Sequence, residues 1–343
     1  MVKKTLIFTF ILAPLMALLM IGTHIAFIFN QTYDGPDVSF TVRSGETFGK
    51  VNQRLYDQEL ISNTRLFHYY AKYLGVMTKL RAGEFTIPRG SNMTQVMDIL
   101  INGQPNLKSV TIPEGKNMYE VAKLLESSGI TSEASFLEAV KNPDLITLLQ
   151  IKAPSLEGYL YPETYSFAGN TPAKQIAKTM VDLFHKRTED LDFSHPFLNK
   201  HQVVILASMV EKETGAKVER PAIAGVFTNR LKKRMRLESD PTTIYGIWER
   251  YKGNIRKKDL LELTPYNTYK IPALPAGPIS NPSLAAIKAV LDPEEHQFLF
   301  FVSKNDGTHV FTKNYKDHLQ AVKDYQINSK AREGKSWRDL KQD

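Results

Sequence analysis

The sequence predicts an α+β protein carried behind a single N-terminal transmembrane helix. Three features predict it: a long uncharged apolar run near the N-terminus, a strand–glycine–helix pattern that recurs three times, and a later alternation of helical patterns with short strand-like runs. Of the 343 residues, 42% are hydrophobic and 23% charged, the balance of a folded chain. The formal net charge of +8 is spread along the sequence, with no dense basic run interleaved with aromatics. A nucleic-acid partner is therefore not expected. With no cysteine, a disulfide framework, a thiol nucleophile and any Cys-ligated metal are excluded.

Thr5 to Phe29 contains no Asp, Glu, Lys or Arg. At about 1.5 Å per residue such a run crosses roughly 30 Å of hydrocarbon. Lys3 and Lys4 precede it, which places residues 1–4 in the cytoplasm and the rest outside. A cleaved signal peptide is the rival reading, but its apolar core is ordinarily shorter and ends in a small-x-small site. The run here ends in FIFNQTYDGPD, which favours an uncleaved anchor over 5–29. Residues 30–37 read as a polar linker punctuated by Gly35-Pro36.

The repeat occupies Phe40 to Gly45, Phe85 to Gly90 and Val110 to Gly115, each followed by a helical pattern. TIPRGSNMTQVMDIL and TIPEGKNMYEVAKLL show it most plainly. The pairs Val51/Leu55, Val96/Leu100 and Val121/Leu125 fall on one face of each helix, and such units must pack together to bury them. The first two copies bracket a helical stretch, Thr64 to Leu74, within a small subdomain over 38–108. Its strand–helix–helix–strand order resembles a LysM-like carbohydrate-binding module; a plain spacer is the alternative. A larger mixed α+β domain is expected over 109–330, then a polar tail over 331–343. Near its end, strands Gln297–Ser303 and Thr308–Thr312 flank Asp306-Gly307, a hairpin signal, and Tyr315–Ile327 reads as a helix.

The sharpest chemical feature is HQVVILASMVEKET, His201 to Thr214. As a helix it puts Val203, Leu206, Ala207 and Val210 on one face, with Glu213 at the edge of that stripe. Glu211 lies about 160° away around the helix. A carboxyl at an apolar edge loses hydration, and its raised pKa suits a general acid at neutral pH. The competing reading is a Glu near a helix end satisfied by a cation such as Arg220. Downstream, stiff loops gather polar and aromatic groups: Asn229-Arg230, Leu237 to Thr242, Pro265 to Tyr269 and the proline-rich Leu274 to Pro282. Prolines limit the entropy lost when such loops hold a ligand, and their Ser, Asn, Asp and Tyr groups suit sugar hydroxyls and ring faces. The eight histidines show no metal-binding spacing; His309 and His318 are the pair nearest a candidate site. There is no nucleophile elbow, P-loop or dinucleotide fingerprint.

At these residues the chain resembles the endolytic murein transglycosylases, the MltG or YceG-like family. The matching motifs are Glu157 to Tyr165, Ser208 to Thr214, Glu219-Arg220-Pro221, Val226 to Leu231, Leu237 to Tyr245, Thr264 to Tyr269, Leu274 to Pro282 and Gly307 to Phe311, in family order. Leu319, where the family commonly has Asn, and Glu163, where Asp is frequent, depart from it. The resemblance implies cleavage of the bond between N-acetylmuramic acid and N-acetylglucosamine without water, with Glu213 as the catalytic acid and base. Substrate contacts are expected from Glu157, Tyr161, Asn229, Arg230, Ser239, Asp240, Thr242, Tyr266, Asn267, Thr268 and Tyr269. It also implies peptidoglycan glycan strands as substrate, peptidoglycan synthases as partners, and a place at the bacterial inner membrane with the active part on the periplasmic side. Neither a metal nor an organic cofactor is expected. A hydrolase pairing Glu213 with Asp240 and a wall-binding scaffold remain as alternatives.

Overall fold

The computed structural model describes residues 12–43, 45–169 and 171–328. The chain forms two compact units: Met1–Ser109 with Gly129–Thr131 and Ser166–Pro172, and Val110–Ser128 with Ser132–Tyr165 and Ala173–Asp343.

The first unit begins with α1 (Ala13–Asn30), whose start is fixed by Pro14 and whose side chains are almost all exposed. It is long and apolar enough to cross a membrane; residues 5–11 of the expected span lie outside the described residues, as do the N-terminal four and the polar tail. The C-terminal end of α1 is seated on the unit's core through Ile28 and Phe29, the latter edge-on to Tyr70 at 5.3 Å. The following segment is tied down rather than a free linker, because its backbone finds partners. Tyr33 donates its N–H to Ser91 O (2.9 Å) and accepts from Gly90 N–H (2.8 Å). β1 (Val38–Val42), α2 (Phe48–Asp57), α3 (Thr64–Leu74), β2 (Gly83–Ile87) and α4 (Met93–Asn102) follow. β1 and β2 pair antiparallel from Val38↔Ile87 to Val42↔Gly83, so Phe40 and Phe85 face each other in the core.

All three copies of the repeat fold as strand, turn and helix; the third comprises β3 (Leu107–Thr111) and α5 (Met118–Ser127). Gly45, Gly90 and Gly115 have φ of 75°, 80° and 74°, the left-handed conformation that disfavours a Cβ. Each Val/Leu pair named above is fully buried. The last two copies agree so closely because they share a helix cap. Asn92 with Gln95, and Asn117 with Glu120, form capping boxes in which side chain and backbone satisfy each other at the helix start.

The second unit continues with α6 (Glu133–Val140), α7 (Pro143–Leu148), β4 (Thr164–Ala168, paired with β3), α8 (Ala173–Arg187) and α9 (Lys200–Glu213). Then come α10 (Arg220–Lys232), α11 (Asp240–Gly246), α12 (Lys257–Leu261), α13 (Leu284–Leu291), the hairpin β5 (Phe300–Ser303) and β6 (His309–Thr312), and α14 (Tyr315–Val322). The sequence suggests one apolar face for α9; instead every residue from Val203 to Val210 is buried. The helix is central, with α10, α11 and α13 packed around it. Even Ser208 is absorbed, donating to Ile205 O (2.6 Å) and accepting from Ile279 N–H (3.0 Å), which latches the proline-rich loop to the helix.

β5 starts three residues later than the apolar run suggests. The carbonyls of His296, Phe298 and Leu299 are taken by α10 side chains, Asn229 Nδ2 (2.8 and 3.1 Å) and Arg230 Nε (2.6 Å). The last helix widens into a π turn over Lys323–Ile327 after Val322. That turn brings Tyr325 O to Asn305 Nδ2 (2.7 Å) and Gln326 Nε2 to Ser303 O (2.7 Å).

One buried ion pair joins three of these helices. Arg220, at the start of α10, donates to Glu211 Oε1 near the end of α9 (2.5 Å), both side chains 5% exposed. Glu211 Oε2 accepts from the N–H and hydroxyl of Ser283, the cap of α13 (2.9 and 2.5 Å). Removing one member strands a buried charge, so Glu211→Ala should lower stability by about 3–5 kcal/mol. Urea unfolding followed by circular dichroism checks this, as a fall in the midpoint at unchanged slope.

Candidate active site

Glu213 is the last residue of α9, two positions beyond the clamped Glu211. It keeps an exposed edge, and Ser239 donates its hydroxyl to Glu213 Oε1. Ser239 is itself fixed from several sides. Its N–H donates to Thr268 Oγ1 (3.0 Å), and its carbonyl accepts from Thr242 Oγ1 (2.6 Å). The hydroxyls of Thr242 and Thr268 meet at 2.8 Å, both residues fully buried. Just before Ser239, Glu238 adopts φ 53°, a strained conformation for a non-glycine residue, and its N–H reaches Thr268 O (3.3 Å).

The next layer rests on Asn267. Its Nδ2 donates to the carbonyls of Asp259, Leu260 and Glu262 (3.2, 3.1 and 2.6 Å). Its Oδ1 accepts from Thr243 Oγ1 (3.1 Å) and Tyr269 N–H (3.0 Å). So held, Tyr269 donates its phenol to Asp240 Oδ1 (2.8 Å), on the exposed first residue of α11. Arg230 is spent on the carbonyls of Leu299, Arg236 and Leu237 and on Glu238, yet its charge still acts on Glu213.

Burial raises the Glu213 carboxyl to about 7; the Ser239 hydrogen bond opposes this, the Asp240 charge adds to it, and the Arg230 charge opposes it. The group therefore exists in both forms near neutrality, as a residue that both gives and takes a proton requires. Arg220 does not neutralise it, because that guanidinium is committed to Glu211.

The structure thus gathers Glu213, Ser239, Asp240 and Tyr269 at one place, with Thr242, Asn267 and Thr268 beneath them as framework and Arg230 behind. Tyr266 packs on Tyr245 with ring centroids 4.7 Å apart. Glu157, 1% exposed, has both oxygens engaged: Oε2 by Met118 N–H (2.8 Å) and the Tyr245 hydroxyl (2.9 Å), Oε1 by Asn281 Nδ2 (3.2 Å). Burial raises it to about 8. Asn229 serves the approach to β5, and Tyr161 sits by Glu163 and Arg187. His309 and His318 part company. The first pairs with Glu219 (Nδ1 to Oε2, 2.7 Å), and the second stacks on Phe300 at 5.1 Å. Among the described residues no three His, Asp or Glu side chains gather in a way that could hold a metal ion.

Sequence reasoning missed Asn281. Its Oδ1 accepts from Gly158 and Leu160 N–H (2.9 Å each), and its Nδ2 also donates to Lys116 O (2.9 Å). Gly158 has φ 87°, and a Cβ there would fall 2.5 Å from Pro278 and 2.9 Å from Val204. That contact draws the 157–160 turn, the proline-rich loop and α9 together. The signal was a buried amide between two prolines, which the sequence renders as one more turn residue.

The two local terms on Glu213 can be separated. Ser239→Ala removes a hydrogen bond to the carboxylate and should raise the Glu213 pKa, whereas Asp240→Asn removes a like charge and should lower it. A carbon-13 NMR titration of the Glu213 carboxyl in both variants reads the opposed shifts.

The chain matches the YceG-like family over residues 40–324. It is 31% identical to an endolytic murein transglycosylase of Bacillus subtilis (strain 168) over 312 residues, which cover 85% of this chain and 86% of that protein. Endolytic murein transglycosylases of Streptococcus pneumoniae, from strains D39 and R6, are each 28% identical over 85% of this chain. The match spans 59% of the length of each of these two. A crystal structure of a yceG-like protein from Listeria monocytogenes is similar with a TM-score of 0.57 and 30% identity, over 83% of this chain and 98% of that one. By sequence and by fold, this chain belongs to the YceG-like family.

Proposed function

We propose that this protein is a membrane-anchored endolytic lytic transglycosylase that cuts the β-1,4 bond from N-acetylmuramic acid to N-acetylglucosamine in nascent peptidoglycan strands. The observation that carries the reading is Glu213, a single carboxyl poised near neutrality at the end of a buried helix and hydrogen-bonded by Ser239. The relatives named endolytic murein transglycosylases support the substrate and the reaction. The apolar helix α1 supports anchoring, with the second unit on the periplasmic side near the strand-making synthases. For the first unit, the strand–helix–helix–strand order supports a LysM-like module that holds glycan or spaces the site from the membrane.

In this mechanism protonated Glu213 gives its proton to the glycosidic oxygen as the bond from the muramic acid C1 breaks. The leaving strand departs with a 4-hydroxyl. The Glu213 carboxylate then takes the proton of the muramic acid C6 hydroxyl, whose oxygen closes onto C1 as a 1,6-anhydro ring. No water enters, so one carboxyl serves as acid and base. Ser239 orients Glu213; Asp240, held by Tyr269, stabilises the positive charge developing at the sugar ring. The exposed Asp240 carboxylate, close enough for its charge to act on Glu213, also favours a second reading, a hydrolase using two carboxylates.

Digestion of purified glycan strands by the full-length protein, with products read by mass spectrometry, separates these. Anhydro-muramic ends are expected from internal cuts, and Glu213→Gln should lose them by about 10²–10⁴-fold. Ends one water heavier would establish the hydrolase, and no product from wild type would point to a wall-binding scaffold. Asp240→Asn should slow the reaction less than Glu213→Gln; equal loss with glycan binding intact would overturn the single-carboxyl mechanism. Because the acid form of Glu213 is depleted above about pH 7, the rate should fall on that side of neutrality.

A further inference from the structure

Away from Glu213, the second unit holds a cleft of about 800 Å³ lined by Tyr119, Tyr245, Trp248 and Tyr266, with Lys141 and Arg250 exposed beside them. The rings form a continuous series. Tyr266 and Tyr245 have centroids 4.7 Å apart, Tyr245 and Tyr119 6.2 Å, and Tyr119 and Trp248 5.8 Å with planes 15° apart. Tyr245 is buried with its hydroxyl donated to Glu157, so it is the floor; Tyr119, Trp248 and Tyr266 are half-exposed. Nothing in the proton chemistry above uses these rings.

The cleft is built onto the site by two elements. α11 starts at Asp240 and carries Tyr245 five residues on, about 7.5 Å along a helix, and Trp248 stands in the turn beyond it. Tyr266 lies in the same loop as Tyr269, three residues before it. Gly246 lets that loop close on α11, since a Cβ there would come 2.6 Å from Thr264 Oγ1 and 3.2 Å from Tyr266 Cβ. A ligand lying across Asp240 and Tyr269 would therefore extend towards the aromatic cleft.

We infer that this cleft is a distal subsite that stacks a saccharide ring of the glycan strand beyond the sugars at the bond being cut. This rests on the glycan-cutting reading above. Half-exposed aromatic faces suit the C–H face of a pyranose, whose hydrogens meet the negative ring quadrupole. Lys141, Glu249 and Arg250 offer groups of both signs to the ring's hydroxyls and acetamide. A stem peptide would be better met by an open strand edge, and no strand lines the cleft. Occupancy here favours long strands and fixes where along the strand the cut falls.

The test uses the full-length protein with Trp248→Ala, Tyr119→Ala and the conservative Trp248→Phe, with thermal unfolding to verify that each variant folds. The substrates are glycan strands freed of stem peptides, long or trimmed to a few sugars. Trp248→Ala should raise KM for long strands by about tenfold, the size expected of a buried aromatic anchor, and leave kcat and the short substrates unchanged. It should also shift the product lengths, and Trp248→Phe should restore most of the loss. Unchanged KM and product lengths in both alanine variants would overturn the subsite while leaving the reaction standing. An effect confined to strands still bearing peptides would overturn it in favour of a peptide site. If wild type makes no cut at all, binding still decides the question. With the other tryptophan replaced (Trp337→Phe), Trp248 fluorescence should respond to peptide-free strands, and a flat signal would sink the proposal.

Discussion

The Glu211–Arg220 ion pair is the constraint on which the candidate site depends. It is buried, it takes the Ser283 cap as a further partner, and it ties the end of α9 to the starts of α10 and α13. A helix end so fixed cannot fray, and the residue two positions on inherits that rigidity. Glu213 can then meet Ser239 at a defined point, although Ser239 arrives from a loop. Two carboxyls in one short motif thus have opposite duties. Glu211 is compensated by a full charge and serves the fold, while Glu213 is left to a neutral hydroxyl and keeps its proton chemistry.

A second constraint comes from the layer of small hydroxyls and amides under the site. Thr242, Thr268 and Asn267 are fully buried, and their hydrogen bonds run to backbone as often as to one another. Each satisfied bond stabilises only modestly, but leaving one member unpaired in that interior would cost more. Such a layer holds Ser239 and Tyr269 in one arrangement without bulky side chains that would fill the site. The strained backbone of Glu238 persists because the Thr268 carbonyl and the Arg230 guanidinium both hold it.

Much of this was legible in the sequence, where periodicity and local chemistry act over short range. The three strand–glycine–helix units, the Thr64–Leu74 helix and the Asp306-Gly307 hairpin follow from patterns within a dozen residues. The different environments of Glu211 and Glu213 were legible too, since helix geometry alone separates them. What was not legible depended on partners distant in the chain. The late start of β5 reflects Asn229 and Arg230 capturing carbonyls some seventy residues on, and the tethered segment at Tyr33 reflects Ser91. The full burial of α9 could not be read from its own sequence, because Ser208 and Gln202 look like a polar face until Ile279 and the Asn199 cap claim them. For the same reason, the loops predicted to bind sugar proved partly to be framework, polar residues turned inward to hold a few others outward.

The position of Glu213 on its helix adds a physical reason for its protonation. The C-terminus of an α-helix carries a partial negative charge from its unpaired carbonyls, so an anionic side chain in the last turn is disfavoured. Glu211 sits in that same turn but is compensated by Arg220. Glu213 has only the Ser239 hydroxyl and the more remote Arg230, with Asp240 working against them. Helix end, burial and neighbouring carboxylate all push in one direction. A base placed at a helix N-terminus would be ionised at neutral pH and could not begin the reaction as an acid. Placing the carboxyl at the C-terminal end of a buried helix lets one residue start protonated, give the proton up, and be able to take another back.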